Sequence, residues 1–449
     1  MIQEQRIQLL NDACPVKGDY VLYWMQQAQR SECNHALEYA IERANGLKLP
    51  VIVFFGITGS FPEANARHMT FMLQGLVRTG EGLARRGLLF VPRIVSPERG
   101  AALLAKRAAL AVTDRGYLRV QREWRGTAAG LMSCPLVQVE SDVVVPVETA
   151  SPKEEYGAGT LRPKISRLLY AYLKPLKKRR VALPSLGMKI TGDDISDIDA
   201  VLRRVRADRS VGPVTGLRGG SDAAKALLKE FIMNRLDRFD DLRNDPGEDY
   251  LSGMGPYLHF GQISPLQIAL AVLDSGSPGA GRYIEELVVR RELAMNFALY
   301  NRSYDRYECL PEWAQATLRK HARDRRAHLY TRDELERAGT HDRYWNAARR
   351  ELLVTGKMHG YMRMYWGKKI LEWSRDPEEA YGTALYLNNK YSMDGRDPNG
   401  FAGVAWCFGK HDRAWPERAV FGKVRYMNDR GLERKFNMGG YCSRVDALA

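Results

Sequence analysis

Short apolar runs set what the first third of this chain can fold into. Tyr20–Trp24, Val51–Phe55, Leu88–Val91 and Ala109–Val112 are β-branched, aromatic or otherwise apolar at consecutive positions. A strand that is apolar on both faces belongs to a sheet covered on both faces. Between the first two runs lies Ser31–Asn45, where Ala36, Leu37, Ala40 and Ile41 form a stripe at helical spacing and Ser31 stands where a cap is needed. A second helix fits His68–Arg86. Strand, helix, strand, helix predicts a doubly wound parallel sheet, an α/β fold. Neither G-x-G-x-x-G nor G-x-x-x-x-G-K-[ST] follows the first strand, so the ordinary dinucleotide and ATP signatures are missing.

The pattern changes after Ser151. Prolines, the basic run Lys177–Arg180 and the Gly219–Ser221 triplet mark a long connection. Beyond it the apolar spacing is helical: Ala223–Phe239, Pro265–Asp274, Gly281–Tyr300, Arg332–Ala338, Arg343–Trp373 with a break near Thr355–Gly356, and Pro377–Lys390. The expected organisation is an α/β domain over residues 1–150, a linker over 151–220 and an all-α domain over 221–449. A chain of 449 residues with 45% hydrophobic content can support such cores. Lys and Arg number 68 against 53 Asp and Glu, a net +15 that favours a polyanionic partner, nucleic acid or an anionic membrane. No run of about 18 apolar residues is present to span a bilayer. The N-terminus carries no apolar signal core, and the six cysteines show no C-x-x-C spacing, so a cytoplasmic, reduced protein without zinc or an iron–sulfur cluster is expected.

Chemistry concentrates in the helical half. Asp394–Asn428 interleaves Trp406 and Trp415 with arginines, lysines and glycines. Flat aromatic surfaces beside cations suit an unpaired base, although a packed loop with a basic edge has the same composition. In Lys357–Trp373, helical spacing puts Met362, Trp366, Lys369 and Trp373 along one side and His359, Arg363, Trp366 and Ile370 along another. Trp366 and Trp373 lie roughly 10 Å apart along such an axis. With Trp345 they form either ordinary core or an electron-hopping chain to a redox cofactor. Arg363 and Asp394 are candidates for an ion pair that a site would have to justify; otherwise Arg363 is a lone surface cation. Glu286, on an otherwise apolar helix, is either a solvated residue or an acid at the mouth of a pocket. The amides and hydroxyl around Ser252, in Leu251–Ser264, could receive a phosphate.

Several longer strings carry a resemblance: YWMQQAQR (Tyr23–Arg30), SGMGPYLHFGQIS (Ser252–Ser264), RREL (Arg290–Leu293), KMHGYMRMYWGKKILEW (Lys357–Trp373), YLNNKYSMDGRDPNG (Tyr386–Gly400) and AWCFGKHDRAWPERAVFGKVRYMN (Ala405–Asn428). Together the chain closely resembles class II cyclobutane-pyrimidine-dimer DNA photolyases over nearly its whole length. The resemblance implies an antenna-type N-terminal domain and a helical C-terminal domain holding FAD in a U shape. It implies light-driven repair of pyrimidine dimers in DNA, by an electron from excited reduced FAD to a flipped-out lesion. Residue by residue, it makes Trp406 the aromatic platform for the dimer, Glu286 the acid that hydrogen-bonds the dimer's carbonyls and Met364 a further pocket wall. Trp366 and then Trp345 become a dyad relaying an electron from the surface to photo-oxidised flavin, with Trp373 an alternative member. Arg363 and Asp394 become the ion pair beside the flavin ring. Asn388 becomes the amide facing flavin N5, with Asn399 its rival, and Ser252, Gly253 and Met254 become the turn at the FAD phosphates. Arg413 and Arg425 become contacts to the DNA backbone. Two positions depart from the family pattern: Gly255 stands where a serine precedes the proline, and Phe239 stands at a tyrosine position. Each departure removes a hydroxyl from the expected FAD contacts. A deazaflavin, a second flavin or no antenna chromophore at all is compatible with the N-terminal sheet, and a monomer is the default expectation. The rival readings are a cryptochrome-like photoreceptor without repair, a repair enzyme for the (6-4) photoproduct with His359 as its histidine, and a flavin-free nucleic-acid-binding protein.

Overall fold

The computed structural model describes residues 2–448. Its sheet is built from β1 (Ile7–Leu9), β2 (Tyr20–Trp24), β3 (Val51–Ile57), β4 (Leu89–Ile94), β5 (Ala108–Asp114) and β6 (Leu136–Val139). The order is β1-β6-β5-β2-β3-β4, with β1 antiparallel to β6 and every other pair parallel. Side chains alternate across the sheet, so Val21, Tyr23, Val53 and Phe55 enter one core and Leu22, Trp24, Ile52 and Phe54 enter the other. Helices α1 (His35–Leu47) and α2 (Ala66–Ala84) cover the first face, and α3 (Pro97–Ala105) and α4 (Arg119–Leu131) cover the second. The doubly wound expectation therefore holds. Two strands were not foreseen: β1 is a short edge strand, and β6 carries Gln138, which pairs with Gln8 across the ladder. A polar pair and short length hide both from an apolar-run reading.

Helix α1 starts later than the cap expected at Ser31. Cys33 takes a left-handed φ of 46°, and the cap is Asn34, whose side chain accepts the Leu37 amide at 3.1 Å. The connection over 151–220 is not loose. Its helix α5 (Ala158–Tyr172) contributes Leu161, Ile165 and Tyr172 to the core of the helical half, while Ile195, Val201 and Leu202 pack beneath the sheet.

The helical half includes α6 (Ser221–Asn234), α7 (Pro265–Asp274), α8 (Arg291–Tyr300), α9 (Arg343–Thr355), α10 (Gly360–Trp373), α11 (Pro377–Tyr391) and α12 (Pro398–Cys407). Helix α6 stops short of the expected Phe239, which opens a separate turn over Phe239–Leu242. The helix expected over Gly281–Tyr300 is interrupted by a π-helical segment, Glu285–Arg290, a form that collects at functional sites. The expected break near Gly356 is real, and that glycine takes a left-handed φ of 66°.

Two of the sequence strings turn out to be joints between the halves. In Tyr23–Arg30, the amides of Gln26, Gln27 and Ala28 all donate to Asp114 at the end of β5, while the buried Arg30 guanidinium donates to the carbonyls of Gly261 and Ser141. In RREL, Arg291 pairs with Asp142 at 2.9 Å and Glu292 accepts the amides of Val144 and Val145.

Candidate active site

The turn after α11 organises the site. Asp397 caps α12 through the Asn399 amide, Pro398 follows at the first helical position, and Gly395 and Gly400 allow close approach to Asn388. A Cβ at Gly395 would lie 2.7 Å from the Asn388 carbonyl oxygen, and one at Gly400 would lie 3.1 Å from Asn388 Nδ2. Asn388 is buried on α11. Asp394 accepts the Ser392 hydroxyl at 2.6 Å and faces Arg363 of α10 at 3.5 Å. At that separation the pair is electrostatic rather than hydrogen-bonded, which leaves donors on Arg363 and acceptors on Asp394 for a ligand. Gly255 is explained by the same carboxylate: a Cβ there would come within 2.4 Å of Asp394 Oδ2. The sequence departure at Gly255 is thus what lets the Ser252–Gly255 turn close onto Asp394. Gly253 carries a left-handed φ of 68° in that turn, and the Met254 amide meets Ser252 Oγ at 3.4 Å. Phe239, the other departure, is buried edge-on against Phe231 and Tyr283.

Helices α10 and α12 touch where Gly367 meets Cys407; a Cβ at Gly367 would lie 2.6 Å from Cys407 Sγ. That approach brings Met364 Sδ to 4.0 Å from Cys407 Sγ, next to Trp406. Trp406 is half-buried, with its indole N–H enclosed and unpartnered. Buried Lys368, its pKa pushed down to about 8 by desolvation, donates to the Cys407 carbonyl and so holds the end of the helix that carries Trp406.

Glu286 lies in the π-helical segment. Its Oε1 is 3.3 Å from Arg243, 3.4 Å from Arg282 and 3.4 Å from Arg290, yet no donor meets it in hydrogen-bonding geometry. Neither Arg243 nor this ring of cations was visible in the sequence, because Arg243 is 43 positions upstream. His359, next to Arg243, caps α10: its Nδ1 accepts the Tyr361 amide at 3.2 Å, and burial pushes its pKa down to about 3.

The tryptophans form a continuous stack. Trp366 and Trp345 lie 6.3 Å apart with planes inclined by 12°, and Trp345 meets Trp373 edge-on at 5.7 Å. The expectation that Trp366 and Trp345 reach the surface as a dyad needs correction, since Trp345 has no exposed area and Trp373 is also buried. The path outward continues from Trp373 to Tyr330 and His341, each 5.3 Å away. Tyr330 Oη is 2.6 Å from His341 Nδ1, and His341 is exposed. Tyr330 lies in a loop without periodicity, and no sequence signal singled it out.

Asn399 is not oriented as a rival to Asn388. Its amide donates to Asp397 Oδ1 at 2.9 Å, and Asp397 also meets His259 at 3.1 Å. Arg413 and Arg425 differ in exposure and pairing. Both guanidinium groups pack on Trp415, at 5.0 and 4.4 Å from the ring centre, but only Arg413 is an exposed cation; Arg425 is paired with Asp412 at 3.1 Å. Trp415, braced between two cations, was passed over in favour of Trp406.

A separate cavity opens at the carboxyl edge of the sheet, lined by Trp24, Phe55, Phe61, Trp124, Phe260 and Arg396 among others. Buried polar atoms there, Trp24 Nε1, Gln26 Nε2 and Gln29 Oε1, have no partner in the protein. Aromatic walls with a few free donors and acceptors suit a flat heterocycle.

Residues 21–182 match the DNA photolyase family. The chain is 54% identical over 449 residues to a deoxyribodipyrimidine photo-lyase of Methanothermobacter thermautotrophicus, covering 100% of this chain and 99% of that one. It belongs to the DNA photolyase family. Two solved photolyases share the fold: a bacterial class III photolyase from Agrobacterium tumefaciens, with a TM-score of 0.73 and 18% identity over 97% of this chain and 88% of that one, and an archaeal photolyase from Sulfolobus tokodaii with two FAD molecules, with a TM-score of 0.71 and 15% identity over 94% and 89%. Among the described residues of this family member, no helix is long and apolar enough to cross a membrane.

Proposed function

We propose that this protein is a class II deoxyribodipyrimidine photolyase that repairs cyclobutane pyrimidine dimers in DNA under blue light, with FAD as its cofactor. The observation that carries the reading is the convergence of Arg363, Asp394, Asn388 and the Ser252–Gly255 turn around one glycine-lined approach. A polar ring system with phosphates needs such a set: a cation, a carboxylate, an amide and exposed backbone N–H groups. Ser252, Gly253 and Met254 would hold the phosphates, Arg363 and Asp394 would flank the ring system, and Asn388 would supply an amide beside it. Reduced FAD, when bound, supplies the photoexcited electron that opens the dimer.

The chain's own groups do the rest. A dimer stacks poorly in the duplex, so extruding it costs less than flipping intact bases. Trp406 and Met364 give it a flat, polarisable wall, and Glu286 with its ring of arginines meets its polar edge. Trp366, Trp345 and Trp373 would relay an electron from the side of Tyr330 to the cofactor if it became oxidised. Arg413 holds the DNA backbone, with Arg425 and Trp415 braced behind it. His359 caps a helix through Nδ1, and burial pushes its pKa down to about 3, so the neutral ring carries no extra proton for a (6-4) lesion. The cavity at the sheet edge takes a second, light-harvesting chromophore.

The test uses chemically reduced protein, an oligonucleotide with one cyclobutane thymine dimer, and parallel illuminated and dark samples. Recovery of thymine absorbance in the light alone is expected. A yellow protein without recovery would move the assignment to a photoreceptor or another lesion, and a colourless one would remove FAD from it.

A further inference from the structure

We infer that Glu63, in the first half of the chain, sets which end of the Asn388 amide faces the flavin, acting through Asn389; the inference rests on the placement of FAD beside Asn388 proposed above. Asn389 is fully buried, and its Nδ2 donates to Glu63 Oε2 at 2.5 Å. Burial raises the Glu63 pKa, while the Asn389 hydrogen bond and the nearby Arg396 charge oppose that and favour the ionised form; an ionised carboxylate only accepts, so it draws the NH2 end of Asn389 and leaves Oδ1 pointing away. That oxygen accepts the Arg396 amide at 2.9 Å and Asn388 Nδ2 at 3.4 Å. The Asn388 contact is long for a hydrogen bond, so it biases the Asn388 NH2 toward Asn389 rather than fixing it. No side-chain hydrogen bond among the described residues reaches Asn388 Oδ1, which is left for a ligand.

The backbone supports the chain at both ends. Glu63 and Arg396 are non-glycine residues in the left-handed region, with φ of 57° and 62°, and each delivers one group to Asn389. Backbone in that region persists only where the surroundings enforce it. Gly400 leaves little spare room beside Asn388 Nδ2, since a Cβ there would lie 3.1 Å from it. Glu63 comes from the loop between β3 and α2, 326 positions from Asn389, so only the docking of the two halves completes the chain. Glu63 touches neither lesion nor cofactor and is a positioning residue. A carbonyl oxygen presented to the flavin favours the form whose ring nitrogen carries a proton, which is the reduced form.

Redox titration of the FAD-loaded full-length protein tests this. Glu63→Gln keeps the size but can offer Asn389 either end of an amide. We expect it to move the oxidised–reduced equilibrium about tenfold toward oxidised flavin, about 30 mV for a two-electron couple, with flavin loading and Tm held. In an Asn388→Ala background the same substitution should give no further shift. Glu63→Asn, which suits a left-handed φ but falls short of Asn389, should repeat the result if the glutamine variant folds poorly. Loaded variants with unchanged equilibria, or with equal shifts in both backgrounds, would overturn the inference alone. Wild-type protein that retains no FAD would overturn the cofactor placement beneath it.

Discussion

At the residue scale the sharpest expectations fall on tryptophans. Replacing Trp406 with alanine removes a stacking surface, and affinity for dimer-containing DNA should fall by about 1–3 kcal/mol; equal binding in a titration would take Trp406 out of the pocket. Trp345 is the middle of the indole stack, between Trp366 and Trp373. Trp345→Phe should therefore stop photoreduction of oxidised flavin while leaving repair by chemically reduced protein intact. Normal flavin bleaching under light in that variant would place the path elsewhere. The Arg363–Asp394 pairing was legible in the sequence because long strings carried both residues. Gly255 was legible only as an oddity, because the carboxylate that excludes a side chain there comes from Asp394, 139 positions later.

At the scale of elements, caps and interruptions decide more than apolar spacing does. His359 was weighed as a catalytic histidine and is instead the cap of α10, with an unprotonated Nδ1. Its pKa is pushed down to about 3, chiefly by burial. The unfolded chain takes up a proton near pH 6.5 and the folded one does not, so stability is lost as pH falls below that value, on the order of 2 kcal/mol by about pH 5. His359→Asn keeps a capping side chain that cannot titrate, and its Tm should fall less between neutral and acid pH than the wild type's. Parallel Tm–pH curves for the two would show that His359 carries no such linkage. The π-helical turn at Glu285–Arg290 was not foreseeable, since one extra residue per turn leaves no periodic mark over six residues. Helix α1 was misplaced at its start for a similar reason: the choice between Ser31 and Asn34 rests on the φ of Cys33.

Across the whole molecule, the excess of 15 positive charges makes DNA binding salt-dependent. The structure divides that excess unevenly. Arg413 is exposed, whereas Arg425 is already paired with Asp412. Arg413→Ala should lower the slope of log affinity against log salt by about one, and Arg425→Ala by less. Fluorescence anisotropy over a salt series distinguishes them, and equal slopes for the two variants would mean that the Asp412 pair opens on DNA.

Sequence alone determined the sheet-then-helices order and most helix spans, because apolar periodicity is a local consequence of which face is buried. It also supplied the proposed members of the site, through strings long enough to carry a family resemblance. Tertiary structure decided how those members meet. The contact of Gly255 with Asp394, the arginines around Glu286, the route from Trp373 to Tyr330 and the chain from Glu63 to Asn388 all join residues far apart along the chain. Hydrogen bonds and close packing act over a few ångströms in space, and no pattern along the sequence encodes which distant partner will fall within that reach.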